Sequence, residues 1–452
     1  VAAVVVGSVF GVGVEIGVAV GVVVAIGVAV AVVVAVAVVV VVGVVVVVGV
    51  VVAVVVAVGI VPDLRPDLGT GALDAPVWIV TRDFGEHEAA AGQPLVGPAG
   101  GIANRALAAA GFDVRWERSG RRNYLDPRVR LDNLVPIRPP GNDFGRHRPE
   151  DVAWGEQRLT ALLERHRPKL IVAMGGEAAA FLAGEGWPAA EGIQALRGYL
   201  WDTRFGRVLT TVHPASVLRE WTPWRALLDL DLRKAARELA AGCPPLPIRD
   251  VRIVTRLEHL DELRAAMAEV GLVGGVEGRA RAGLATAAVE TWLAVDIENH
   301  DVGQPDPLAC VGFAPTPQAA WVIPAAPGWQ MDAIRELCES AVPKVLQNGA
   351  YDRFFLRWFC GIELRAQAFD TMLGWHALQP ELAGKKTQGA RKVANRRTVK
   401  SLAFLASVLT REPWYKNYSF ASEDERYRLC GKDCCVTHEI AGELARALEA
   451  AA

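Results

Sequence analysis

Leu293-Ala-Val-Asp-Ile-Glu-Asn299 is a seven-residue run whose apolar and acidic positions alternate. Alternation of period two predicts a strand, and in a strand residues i and i+2 point to the same side. Asp296 and Glu298 therefore present two carboxylates on one face of an otherwise apolar element. Two like charges at that spacing repel unless a divalent cation lies between them. The next element downstream, VLQNGAYDRFFL, reads as an apolar strand ending at Asn348 and a helix carrying Asp352. A further acid, Asp433, stands in RLCGKDCCVTHEI, near the expected start of a last helix over Asp433 to Leu448. Acids from separate elements suit a site that holds two metal ions.

Around this nucleus the pattern is α/β. Strands are expected at Leu293 to Ile297, Ala309 to Ala314, Ala320 to Ile323 and Lys344 to Gln347, with helices following, which predicts a mixed sheet. Upstream, apolar runs at Val77 to Val80, Leu170 to Met174 and Val208 to Val212 alternate with amphipathic stretches, the signature of a mostly parallel sheet covered on both faces. A Pro-rich joint at Cys243 to Pro247 separates the two patterns, giving expected domains at 75–242 and 248–452.

The chain has 452 residues, with 48 Lys and Arg against 50 Asp and Glu, so a uniformly basic nucleic-acid coat is excluded and any polyanion site is local. One such candidate is the stretch between Ala383 and Lys400, which carries Lys385, Lys386, Arg391, Lys392, Arg396, Arg397 and Lys400 and no acid. Seven cysteines occur with no CxxC pair and none before Cys243, which argues for a reducing cytoplasm and against a zinc ribbon; Cys430, Cys434 and Cys435 read as packing. Residues 1–61 are a low-complexity Val/Ala/Gly leader with Glu15 as its sole charge. It reads as an over-extended start and not as a folded domain, with a membrane anchor as the alternative.

Five ordered stretches of the second half resemble the DnaQ-like (DEDD) 3′–5′ exonuclease domain of phage-type family A DNA polymerases. Asp296 and Glu298 match its first motif, Asn348 and Asp352 its second and Asp433 its third, while AFDTMLGWHALQPEL and KSLAFLASVLTREPWYKNY look like the intervening segments. The resemblance implies a ribonuclease H-like fold and two Mg²⁺ or Mn²⁺ ions on Asp296, Glu298, Asp352 and Asp433. It also implies single-stranded or frayed 3′ DNA ends as substrate, in a proofreading or repair setting in a bacterial or phage-infected cell. The family's third motif carries Tyr four residues before the acid, where this chain has Leu429; Tyr427 is the candidate substitute through a one-turn irregularity in the helix, with reduced turnover as the alternative. A polymerase would be a separate chain or lie beyond a truncated end, and no membrane partner is expected.

GQPLVGPAGG (92–101), NLVPIRPPGN (133–142), KLIVAMGGEAAAFL (169–182) and VHPASVLR (212–219) together resemble the uracil-DNA glycosylase superfamily, particularly its iron–sulfur-type members. The resemblance implies a three-layer α/β/α domain and a pocket of Asp83, Leu95, Asn133 and His213. Asn133 would read the base edge and His213 would meet the leaving-group charge. The chain departs from the family at Thr81-Arg82-Asp83-Phe84-Gly85, where Arg82 replaces an acid and Asp83 or Glu88 is the substitute, and at Leu95, where a base-stacking Phe is usual. Ile137 and Trp154 stand near places that hold cluster cysteines, so no iron–sulfur cluster is expected. The leading expectation is a metal-dependent exonuclease with a glycosylase-like DNA-binding domain. The alternatives are a uracil-DNA glycosylase with an accessory exonuclease domain, a non-catalytic DNA-binding subunit of a replication complex, and an exonuclease that prefers RNA.

Overall fold

The computed structural model describes residues 67–117, 122–188, 190–219, 221–272, 291–300, 307–382, 399–416 and 420–452, together with four short strands in the leader. The leader strands pair antiparallel, Ala29–Val32 with Val56–Gly59 and Val39–Val42 with Val45–Gly49. Residues Val1–Asp67 with Glu156–Arg165 form one compact unit, and Leu68–Gly155 with His166–Ala452 form the other. No helix among the described residues is long and apolar enough to cross a membrane.

The larger unit holds two α/β layers of different wiring. Its first sheet runs, in spatial order, Leu200–Thr203, Gly206–Thr211, Leu170–Met174, Val77–Asp83 and Val129–Val135. Only the first pair is antiparallel; the other three pairings are parallel. Ile79, Leu131, Val172 and Leu209 face a core built with Ile102, Ala106 and Leu107 of the Pro98–Ala109 helix and Leu228 and Leu232 of the Trp221–Ala240 helix. The Gly176–Ala183 helix also packs on the sheet, contacting the Val77–Asp83, Leu170–Met174 and Gly206–Thr211 strands. Parallel strands leave all their carboxyl ends on one edge, the usual place for a ligand crevice. Here that edge carries Asp83, Gly175 and His213.

The expected strands of this half are present, and Val129–Val135 is an addition. Its sequence, VRLDNLV, carries three polar residues, yet all seven positions are buried. Arg130 donates to Asp132 at 3.1 Å and lies 4.8 Å from the centre of the Trp78 ring, so the charges are compensated inside the sheet.

The second sheet is mixed, in the order Asp250–Ile253, Ala319–Pro324, Leu308–Ala314, Leu293–Asn299, Lys344–Leu346 and Gln367–Asp370. Leu308–Ala314 is antiparallel to both of its neighbours, and the remaining pairings are parallel. Leu293, Val295 and Ile297 face a core shared with Leu260, Ile334 and Leu356. The opposite face receives one long helix, Glu423–Ala451. That helix starts ten residues earlier than expected, capped by the Ser422 side chain, which accepts from the Glu425 amide, so Asp433 lies in its interior and not near its start.

Two glycines let this helix sit low on the sheet. A Cβ on Gly312, the residue opposite Asp296, would meet Cys434 Sγ at 2.6 Å, and one on Gly431 would meet Val251 Cγ1 at 2.4 Å. Side chains there would lift the helix and with it Asp433.

The two sheets are joined by more than the Pro-rich joint. The Leu402–Leu409 helix belongs to a core that also contains Tyr199 and packs against Trp201 and Leu230 of the first half. Across this seam Arg197 donates to Ser407 Oγ at 3.1 Å, and Lys234 donates to Ser407 O at 2.8 Å and to Gly198 O at 2.6 Å. Glu238 accepts from Arg207 and, at 2.8 Å, from Arg411. The joint is itself pinned, with Arg411 donating to Pro245 O at 3.0 Å and Arg207 to Pro244 O at 3.0 Å.

Candidate metal centre and glycosylase-type crevice

The Leu293–Asn299 strand turns Asp296 and Glu298 toward the long helix, and Gly312 gives that helix its close approach. As a result carboxylate oxygens of Asp296, Glu298 and Asp433 all lie within 4.8 Å of one another. Three hard oxygen donors at that separation fit a divalent cation such as Mg²⁺ or Mn²⁺. Asp352 is held beside this trio and not within it. It is 4% exposed on the Gly349–Cys360 helix, where the backbone amides of its own residue and of Ile297 oppose the upward shift that burial imposes on it.

The electrostatics follow from the crowding. Removal from water, then the nearby Cys430, Asp433, Asp352 and Glu298, push the Asp296 carboxyl well above its ordinary range. Burial, then Cys430 and Asp433, carry Glu298 up to about 8, opposed by Lys416 and Arg426. Burial raises Asp352 to about 7. A cation among these carboxyls would favour their charged forms and displace the protons.

Two partners of the site lie in a segment matched only as an intervening one. Tyr415 donates its hydroxyl to Asp433 Oδ1 at 2.8 Å, and the buried Lys416 ammonium pairs with Asp433 Oδ2. Tyr427, expected to reach the acids through a break in the helix, does not. The helix is continuous from Glu423 to Ala451, and the ring packs against the cluster of Cys310, Val322 and Cys430. At 100° per residue, a position six residues before Asp433 faces away from it. Asn348, expected to touch nucleic acid, sits exposed at the N-cap of its helix with φ 60°, and its amide donates to Asp370 Oδ1. Asp370 caps its own helix at Met372 at 2.9 Å and also accepts from Gly349 at 2.8 Å, as its reading as a capping acid requires. The basic residues Lys385, Lys386, Arg391, Lys392, Arg396 and Arg397 lie outside the described residues.

At the carboxyl edge of the first sheet the acids have fixed counter-charges. Asp83 accepts from Arg82 at 3.0 Å and stands 3.4 Å from His147 Nε2, whose side chain is 1% exposed. Arg82 reaches on to Glu177 at 3.2 Å and to Asn142 O at 3.2 Å. Burial raises the Asp83 carboxyl, and Arg82 and His147 oppose that shift. His213 is neutral: burial, then Arg82 and Arg219, lower it to about 4. Its Nδ1 accepts from the Ala215 amide at 3.1 Å, which leaves the proton on Nε2 as a donor.

The other pocket residues are turned inward. Asn133 donates to Thr81 Oγ1 at 2.6 Å and Asp83 O at 2.9 Å, so its amide hydrogens tie two strands together instead of facing a base. Leu95 is 4% exposed and belongs to the core. Glu88 accepts from the Val96 and Gly97 amides at 3.1 and 2.8 Å, clasping the Gly-rich loop. His147 escaped the sequence reading because its contact with Asp83 spans more than sixty residues of chain; the nearby PPGN turn was its one local signal.

Residues 68–239 match the model of the uracil DNA glycosylase superfamily. The type-4 uracil-DNA glycosylase of Thermotoga maritima is 33% identical over 170 residues, covering 37% of this chain and 80% of that protein. The corresponding protein of Saccharolobus solfataricus is 29% identical over 177 residues, covering 38% and 76%. The chain belongs to the uracil DNA glycosylase superfamily through this segment. Among solved structures, NrnC of Brucella melitensis aligns at 15% identity and a TM-score of 0.25, covering 46% of this chain and 84% of that one. The EXD2 exonuclease domain soaked in Mg and GMP aligns at 15% identity and a TM-score of 0.21, covering 42% and 87%. No functional statement follows from likenesses of that size.

Proposed function

We propose that the chain processes DNA ends, with residues 248–452 acting as a metal-dependent 3′–5′ exonuclease and residues 75–242 as its DNA-holding domain. The observation that carries this reading is the convergence of Asp296, Glu298 and Asp433 from a strand and a helix that lie far apart in sequence. Mg²⁺ or Mn²⁺ bound there would supply an activated water and charge neutralisation at the scissile phosphate. Asp296, Glu298 and Asp433 would hold it, with Asp352 beside them. Tyr415 and Lys416 orient Asp433, and Lys416 keeps it from repelling the strand before a cation arrives. The basic stretch between Ala383 and Lys400 would grip phosphates. Single-stranded or frayed 3′ ends are the substrate, and a polymerase would be a separate partner.

The test is degradation of a labelled single strand by the whole chain in Mg²⁺ or Mn²⁺, with EDTA and Asp296→Ala as controls and a matched RNA strand alongside. Metal-dependent shortening that the substitution abolishes supports the proposal; retention of DNA with no shortening overturns it in favour of a binding module. A second reading, uracil excision by the first half, is favoured by the His213 tautomer and by the enclosed Asp83. Uracil release from a labelled duplex, lost in His213→Ala, would support it.

A further inference from the structure

The helix that brings Asp352 to the acids exposes its opposite side as aromatic surface. Tyr351, Phe354 and Trp358 are 50%, 59% and 74% exposed, at the i, i+3, i+7 spacing that lines one helix face. The Phe354 and Trp358 rings are nearly parallel, 14° apart with centroids 6.1 Å apart. Tyr351 is joined to the neighbour of Glu298 by a hydrogen bond from the Asn299 amide to its hydroxyl. Arg353 and Arg357 flank the rings; Arg357 is paired with Glu363, and Arg353 has no acidic partner among the described residues.

From this we infer that Phe354 and Trp358 are a stacking platform for the bases of a single strand whose 3′ end lies at the acids, an inference that rests on the exonuclease reading and names how its substrate is held. Exposed flat rings beside a cation match a single strand, which offers π-faces and phosphates in alternation. The spacing matches as well. Trp358 lies six residues beyond Asp352, about 9 Å along the helix axis. Stacked nucleotides rise about 3.4 Å each, so the platform meets bases about two to three positions from the terminus. One rigid helix thus carries both an acid of the site and the surface that sets the strand's approach.

The test uses the full chain with labelled dinucleotide, tetranucleotide and octanucleotide in Mg²⁺. In the parent protein KM falls by about five- to hundredfold as the strand grows long enough to reach the platform. Combining Phe354→Ala with Trp358→Ala removes that gain, so that KM no longer falls from the dinucleotide to the octanucleotide. Trp358→Phe keeps it, whereas Trp358→Leu, apolar but without a π-face, loses it. A parent KM independent of length, or a Leu variant equal to the parent, overturns the inference. If no strand is cut at all, the exonuclease reading has failed, and anisotropy of a labelled octanucleotide in EDTA decides the platform separately: weaker binding by Trp358→Ala upholds it and unchanged binding rejects it. Variants that shift sedimentation from dimer to monomer while strand affinity stands assign the face to a second copy of the chain and also reject it.

Discussion

Asp231 and Asp296 are both carboxylates drawn into the protein, and their surroundings are opposite. Asp231 accepts from Arg197 at 2.8 Å and from Thr211 at 2.6 Å, so its charge is answered by groups that cannot leave. Asp296 has Glu298, Asp433 and Asp352 as neighbours. The crevice of the first half follows the Asp231 pattern, with Asp83 between Arg82 and His147. A carboxylate with fixed partners stabilises a structure only in company with them, whereas carboxylates facing one another have no counter-charge of their own unless a cation joins them.

The largest expected effect tests the second kind. Asp296→Ala is expected to lower cleavage of a labelled 3′ end by about a thousandfold, the loss of several kcal/mol of metal-assisted stabilisation, read in steady-state kinetics. Next comes the first kind: Asp231→Ala leaves Arg197 buried without its counter-ion and is expected to cost about 3–5 kcal/mol in urea unfolding. Asp296→Ala in EDTA at neutral pH should by contrast leave the unfolding midpoint unchanged or raised, because it removes a carboxyl whose burial no counter-charge offsets. Should both substitutions destabilise alike, the distinction drawn between the two regions is lost.

Acidity sharpens the comparison further. Glu298 titrates at about 8 and Asp352 at about 7 in the folded protein, and both ordinarily titrate near 4. Between those limits the unfolded chain has released protons that the fold still holds. Metal-free stability is therefore expected to fall as pH rises from about 4 to about 8. Saturating Mg²⁺ removes that slope, which thermal melts across pH with and without the ion would record. The smallest effect concerns the helix that delivers Asp433. Ser422→Ala is expected to cost about 1 kcal/mol by loss of its cap, measured by chemical denaturation.

Much of this was legible in the chain itself where the signal is local. LAVDIEN alternates, and its strand and the shared direction of Asp296 and Glu298 follow from that alone. The buried VRLDNLV strand was not legible, because its polar pattern makes sense only beside Trp78 and the paired charges of Arg130 and Asp132. The long helix was half legible: Ser422 followed by Glu425 is a start signal. The family pattern points along that helix for a tyrosine near Asp433, whereas Tyr415 and Lys416 come from the segment before it. In the first half Asp83 and His213 fall at the carboxyl edge of the sheet, but no local rule foretold that Asn133 would spend its amide on Thr81 or that His147 would close over Asp83.

The Leu402–Leu409 helix has a practical corollary for anyone wishing to produce the glycosylase-type portion alone. A fragment ending at Cys243 would keep every strand of the first sheet yet lose the helix that packs with Tyr199 and Trp201 and one of the two carbonyls that receive Lys234. Bare aromatics and an undersatisfied ammonium favour precipitation. Grafting this portion onto an unrelated neighbour would require that face to be rebuilt.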